Sequence, residues 1–454
     1  MITINLRVVI AVVATTIAAG TVRADDWPQW MGPDRDGVWR EAHVVTQIPA
    51  GGLPVKWRVP VKGGYSGPAV AAGRVYLTDY DRPEEPLANA PNDRTQLAGR
   101  ERVLCLDAAT GKLLWKHEYD CPYAISYASG PRCTPTVADG KVYVLGAEGN
   151  LTCLDAATGR VIWAKDFQQD YGAPVPIWGF CGHPLVDGDQ LICLVGGEGS
   201  VAVAFDKNTG KELWRALSAS ESGYCPPTLI ESAGVRQLLI WDADNLNALE
   251  PATGRLLWSQ PLKPMYGMSI MAPQVADTKQ GRVLYASGIG RVGALFALNA
   301  AEPGAKVLWR GEPKSAVYCA NSTPFIEGDT LYGCDCDTGF LTAVDLAAGG
   351  RLWETGRPTM GDRRGKHGTA FLVRHRPAGA GQAAAGRTWI FSETGDLILA
   401  NLLPSGYEEA GRMHLLDPTN ECFGRDVVWS HPAFANRCVY ARNDRELVCV
   451  SLAE

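Results

Sequence analysis

One nine-residue phrase recurs along this chain, and each full copy ends in tryptophan. It is clearest as DAATGKLLW (Asp107–Trp115), DAATGRVIW (Asp155–Trp163) and DKNTGKELW (Asp206–Trp214). It returns as EPATGRLLW (Glu250–Trp258), as DLAAGGRLW (Asp345–Trp353), and with an insertion as Asn299–Trp309. Trp57, in VKWRV, keeps only the tail of the phrase. The spacings from Trp57 to Trp353 are 58, 48, 51, 44, 51 and 44 residues. Repeats of this length build propellers, solenoids or arrays, because one unit cannot bury its apolar face alone.

The order inside each repeat selects among these. A unit opens with a short apolar run, usually after proline: SGPAV, CTPTV, GHPLV, CPPTLI, MAPQV, STPFI, HGTAF and SHPAF. A turn and a β-branched or aromatic strand follow, as in KVYVLGA and QLICLVG. A third strand runs into the phrase, and a fourth carries the tryptophan. Four short alternating strands per repeat make one propeller blade. Eight opening strands are present, but the last repeat stops after its third strand at Val448–Leu452. The VKWRV segment supplies the missing fourth strand from the other end of the chain, which removes an open sheet edge. The expected fold is all-β: an eight-bladed β-propeller of four-stranded antiparallel blades, closed by an N-terminal strand. Its expected divisions are a signal peptide at 1–24, an extension at 25–53 and the propeller at 54–454.

The Asp-x-x-Thr-Gly part of the phrase is turn chemistry, with Asp and Thr capping backbone N–H groups and Gly supplying positive φ. Trp57, Trp115, Trp163, Trp214, Trp258, Trp309 and Trp353 are expected to dock between blades, since equivalent copies point to packing rather than to a ligand. Cys105, Cys153 and Cys449 share one slot that holds Ala204, Ala248, Ala297, Ala343 and Ala400 elsewhere. Such a slot is tight and buried, so cysteine acts there as a small hydrophobe. Pairing of Cys121 with Cys133, or of Cys334 with Cys336, stays open. In repeat seven, Ala410 is aligned where tryptophan should stand. Arg82–Arg100 reads as an exposed loop and Gly379–Gly386 as a flexible hairpin tip.

The N-terminus reads as a cleavable export signal. Arg7 precedes an apolar run, Val8–Ala19, that is too short to span a bilayer. Val22-Arg23-Ala24 is a small-residue cleavage site, and no cysteine precedes Cys105 to carry a lipid anchor. A periplasmic or secreted, monomeric protein is expected. The net charge is −6, and loss of Arg7 and Arg23 would leave about −8. That balance argues against nucleic acid as a partner.

The segment AFDKNTGKELW (Ala204–Trp214) resembles the tryptophan-docking motif A-x-D-x-x-x-G-K-x-x-W of the quinoprotein (PQQ-repeat) β-propellers. The opening WPQWMGPDRDGV (Trp27–Val38) and the ending WSHPAFANRCVYARNDRELVCVSL also look like the exported, BamB-like members of that group. In the group's alcohol dehydrogenases, the resemblance implies pyrroloquinoline quinone (PQQ) stacked between a tryptophan and a disulfide of adjacent cysteines. It also implies Ca²⁺ held by Glu and Asn, and an Asp base. This chain has no adjacent Cys-Cys and no C-x-x-C-H.

Strand entrances in a propeller converge on one mouth of the central channel. Here they carry Arg132, His183, Tyr224, Tyr318, Asn321, Arg363, Arg364, Lys366, His367 and His431. Imidazoles suit proton transfer, guanidinium and ammonium groups hold anions, and aromatic rings stack. The alternative is that these groups satisfy backbone atoms around a water-filled channel. No H-x-x-H, H-E-x-x-H or C-x-x-C supports a metal, and no G-x-S-x-G or Walker loop is present. Two functions follow. The first is a non-catalytic propeller that binds a protein partner or small ligand in the cell envelope. The second is a PQQ- and Ca²⁺-dependent, or related, oxidoreductase at the channel mouth. A carbohydrate-active site using His183, His367 or His431 as base is a third.

Overall fold

The computed structural model describes residues 25–83, 91–377 and 386–454. The export segment and most of Gly379–Gly386 lie outside these. Eight sheets of the expected kind are present. The closing blade joins Ala433–Ala435, Cys438–Arg442 and Glu446–Ser451 to Val55–Pro60, in antiparallel order from inside to outside. Trp57 stands opposite Cys449 across that seam. The eight-bladed propeller and its closure by the N-terminal strand are therefore as the repeat pattern requires.

The phrase folds alike from blade to blade. Asp206 Oδ1 accepts the backbone N–H of Asn208 at 3.0 Å and of Thr209 at 2.8 Å, and the Thr209 hydroxyl at 2.8 Å. Asp107 and Asp155 repeat the arrangement. Gly210, at φ +70°, follows, and a Cβ there would lie 2.8 Å from the Trp163 ring. The glycine thus permits both the turn and close contact with the neighbouring blade's indole. Trp163 Nε1 donates to Lys207 O at 3.1 Å, just after Asp206. Trp57, Trp115, Trp214, Trp309 and Trp353 reach the equivalent carbonyls of Ala108, Ala156, Pro251, Leu346 and Leu403. Trp258 donates instead to Gln237 Oε1 at 2.7 Å. Burying one such ring removes ~150–250 Å² from water, worth roughly 4–6 kcal/mol before entropy.

Several local expectations are corrected. The insertion in the fifth repeat shifts register, so Leu295, not Ala297, faces Trp309, and the slot is not restricted to Ala or Cys. In blade seven a bulge brings Gly411, not Ala410, opposite Leu399 in the tryptophan position. A side chain there would strike Ile48, whose carbonyl lies 2.8 Å from a built Cβ. The Arg82–Arg100 insertion is not wholly loop: Thr95–Leu97 pairs with Tyr123–Ile125. All thirteen cysteines are free thiols, so neither candidate disulfide forms. Cys105, Cys153 and Cys449 are fully buried, as small hydrophobes should be.

The segment before the first blade is a strap that enters the central channel. Trp27 bridges to Val70 on blade one, and the Val137 N–H of blade two donates to Pro28 O. Arg35 donates to the carbonyls of Pro184 at 3.0 Å and His183 at 3.2 Å. Val38–Trp39 then pairs in parallel with Ala370–His375, adding a fifth strand to blade seven. The strap consumes inner-strand hydrogen-bonding groups that water would otherwise satisfy.

Candidate functional site

With the strap below, the channel becomes a bowl open at the strand-entrance mouth. It encloses about 650 Å³, within the range of small-molecule pockets. Its floor is Trp30, stacked on His183 at 4.9 Å and 11° and edge-on to His431 at 5.8 Å. The Arg35 guanidinium lies 5.5 Å from the centre of the Trp30 ring. The wall is aromatic. Trp178 meets Tyr224 at 62°, Tyr127 meets Trp429 at 48°, and Phe423 caps His367 at 4.6 Å and 19°.

Of the residues expected from sequence, Arg132, His183, Tyr224, Asn321, Lys366, His367 and His431 line this bowl. Tyr318, Arg363 and Arg364 do not. Tyr318 is buried between blades and its hydroxyl donates to Glu312 O at 2.8 Å. Arg364 turns to Glu354 and lies over Phe340. The mouth also gathers residues that the repeat reading did not select: Trp30, Tyr127, Tyr266, Arg291, Asp337 and Phe423. Tyr127, Tyr266, Arg291 and Asp337 sit on connections and turns within the repeats and carried no signal, whereas Trp30 and Phe423 lie in sequence that fits no blade, namely the Trp-rich strap and the long stretch before the last repeat. That stretch folds as the hairpin Asn420–Cys422 and Arg425–Val427, with Phe423 at its tip.

The electrostatics are one-sided. Arg132 sits 5.1 Å over Tyr65 and donates to the carbonyls of Gly130, Ser126 and Tyr127, with no carboxylate partner among the described residues. Lys366 makes no ion pair among the described residues, whereas Arg291 is neutralised by Asp337 at 2.5 Å. The three histidines are held neutral. Burial, then the charge of Arg35, pushes His183 well below its ordinary value. Burial takes His431 down to about 3. Burial, then Arg425 and Lys366, takes His367 to about 4. His183 Nδ1 accepts the Thr134 N–H at 2.9 Å, which leaves the ring proton on Nε2. For that one nitrogen, the backbone-satisfying alternative is what the structure contains.

Two features mark the bowl as more than a lined channel. Buried Trp30 Nε1, Tyr127 Oη and Asn321 Nδ2 find no hydrogen-bond partner among the described residues. Tyr224 Oη reaches only toward the Trp178 backbone, outside hydrogen-bonding geometry. Orphaned buried polar atoms cost ~1–3 kcal/mol each. In addition, Tyr127, Tyr266, Arg291, His367 and Phe423 all hold left-handed φ between +51° and +59°, a strain that non-glycine residues adopt where the surroundings over-determine them.

PQQ with Ca²⁺ is not what these side chains fit. Among the described residues, Asp337 is the only carboxylate in the lining, and it is already paired. No group of three His, Cys, Asp or Glu among the described residues could hold a metal ion. Cys181 and Cys336, the lining thiols, are separate and reduced.

No curated protein matches the chain in sequence. Among solved structures, BamB from Moraxella catarrhalis superposes with a TM-score of 0.50 at 16% identity, over 83% of this chain and 97% of that one. The quinohemoprotein alcohol dehydrogenase from Comamonas testosteroni gives 0.58 at 14% identity, over 94% and 81%. The quinohemoprotein alcohol dehydrogenase ADHIIG from Pseudomonas putida HK5 gives 0.55 at 14% identity, over 94% and 80%. At these identities the likeness concerns fold. No helix among the described residues is long and apolar enough to cross a membrane. The family profile described as outer membrane protein assembly factor BamB matches residues 99–355 and 242–454. This eight-bladed chain therefore belongs to the PQQ-repeat β-propeller family.

Proposed function

We propose that the protein is an exported, non-catalytic propeller that captures a small ligand in the bowl above Trp30. The observation that carries this is the set of buried, unsatisfied polar atoms on four lining residues drawn from the strap and from three separate strand entrances. These atoms are covered in the structure, so a bound molecule with polar groups around its perimeter would supply their partners once the side chains turn toward it. Binding is favoured over turnover by the histidines, since an imidazole at about 3 or 4 is a weak base far from neutral pH. Export rests on the n-region, apolar run and cleavage pattern of residues 1–24.

A second reading, capture of a protein segment at the same mouth, draws on three exposed apolar side chains at the rim, Met265, Tyr266 and Phe423. It also agrees with the description of the matched family as an assembly factor. Tryptophan fluorescence titrations against a small-molecule panel test the ligand reading, with a dye-linked dehydrogenase assay alongside. Saturable quenching lost in Tyr224→Phe supports the proposal. PQQ binding with Ca²⁺-dependent alcohol oxidation contradicts it.

A further inference from the structure

We propose that the ligand is an acidic sugar, a pyranose or short oligosaccharide bearing a carboxylate. This rests on the small-ligand reading of the bowl and narrows it.

The charge comes first. The protein carries a net charge of −6, yet the bowl is positive. Among the described residues, Arg132 and Lys366 face it with no carboxylate at ion-pair distance, Glu148 acting on Arg132 only from farther off, Arg291 and Asp337 cancel, and the histidines are neutral. The guanidinium of Arg132 has spent three contacts on backbone carbonyls, which orient it without cancelling its charge. A concave, low-dielectric wall with uncompensated cations concentrates anions, and guanidinium with ammonium is a natural receiver for a carboxylate.

The polar groups come second. Tyr127, Tyr224 and Asn321 enter from the connections before blades two, four and six, so the residues line the bowl on three sides, and a turn of each side chain would bring its covered polar atom to a guest. Phenol and amide groups both donate and accept. Sugar hydroxyls do the same and are distributed around the whole ring, so one pyranose could answer groups arriving from every side.

The apolar surfaces come third. The most parallel ring pairs of the bowl each have one face covered by a partner, Trp30 by His183 and Phe423 by His367. The crossed pairs, Trp178 with Tyr224 and Tyr127 with Trp429, present faces and edges at several pitches. That relief suits the stepped C–H faces of a puckered ring. The exposed Tyr266 and Phe423 at the rim continue it outward, where a second sugar would lie.

The test is titration of the full chain with galacturonate and its short oligomers, galactose, and the planar carboxylate 2-naphthoate, read by calorimetry and indole NMR. Galacturonate is expected to bind about tenfold or more tighter than galactose, the equivalent of one charge-assisted contact. Its affinity should fall with added salt. Lys366→Gln, an exposed position without an ion pair, should remove about tenfold of galacturonate affinity and leave galactose unchanged. Arg132→Gln should do more, but it also frees three carbonyls, so the Lys366 variant carries the test. Equal affinity for galactose and galacturonate, or no effect of Lys366→Gln, overturns the acidic sugar while leaving the bowl a binding site. So does 2-naphthoate binding with galacturonate silent. If no probe moves the Trp30, Trp178 or Trp429 indole signals, the small-ligand reading itself fails.

Discussion

The seven rim indoles and the indole of Trp30 are the same group in opposite circumstances. Every rim indole donates a hydrogen bond, six of them to the equivalent carbonyl of the next blade. Trp30 is more deeply buried than any of the seven, yet its Nε1 has no partner among the described residues. The rim is built from a repeated solution in which packing, turn and hydrogen bond agree. The bowl departs from that consistency with left-handed side chains, orphaned donors and unpaired cations. Such departures from local consistency are where function is usually sited. The comparison teaches that a tryptophan's role here follows from the fate of its N–H, not from its burial.

The largest effect expected is on the rim. Trp163→Ala should cost about 3–5 kcal/mol by urea unfolding, from the lost ring and the void between blades. A loss below about 1 kcal/mol would mean that the blades do not lock through these rings. Next is acid. The folded values of His431 and His367, about 3 and about 4, lie below the ordinary 6.5. Between those limits the unfolded chain binds more protons than the folded one. The histidine contribution is therefore full above about pH 6.5 and is lost as pH falls toward 4, at up to about 1.4 kcal/mol per pH unit for each histidine. Unfolding at pH 7, 6 and 5 measures the slope, and His431→Gln should flatten it.

Phenylalanine replacements set the two regions directly against each other. Trp163→Phe loses contacts and a hydrogen bond, and should cost about 2–3 kcal/mol. Trp30→Phe loses contacts but also an unsatisfied donor, and should cost under about 1 kcal/mol while weakening ligand binding. Equal costs would erase the distinction. The smallest effect is that of Lys366→Gln, which should change stability by less than about 0.5 kcal/mol.

The blades and their closure were legible in the sequence because one phrase repeats and each of its residues has a local reason to be where it is. The Asp turn with its positive-φ glycine and the shared strand at Trp57 follow from spacing alone, whereas the contact of that glycine with an indole does not. Leu295 and Gly411 were misplaced because the hairpins between third and fourth strands are longer in blades five and seven, which moves the bulge shared by all blades farther from the hairpin tip. Seven of the ten mouth candidates line the bowl because strand entrances converge by topology. Tyr318, Arg363 and Arg364 show the limit of that logic, since position fixes where a Cα sits and not where a long side chain turns. Trp30 and Arg35 escaped because the strap obeys no repeat. Its path is set by inner-strand groups scattered over blades one to four and seven.

The most direct test is the indole N–H spectrum of the fourteen tryptophans during a galacturonate titration. Shifts confined to Trp30, Trp178 and Trp429, with the seven rim signals still, are the result expected. Movement of the rim signals with Trp30 silent would place binding outside the bowl and contradict the account.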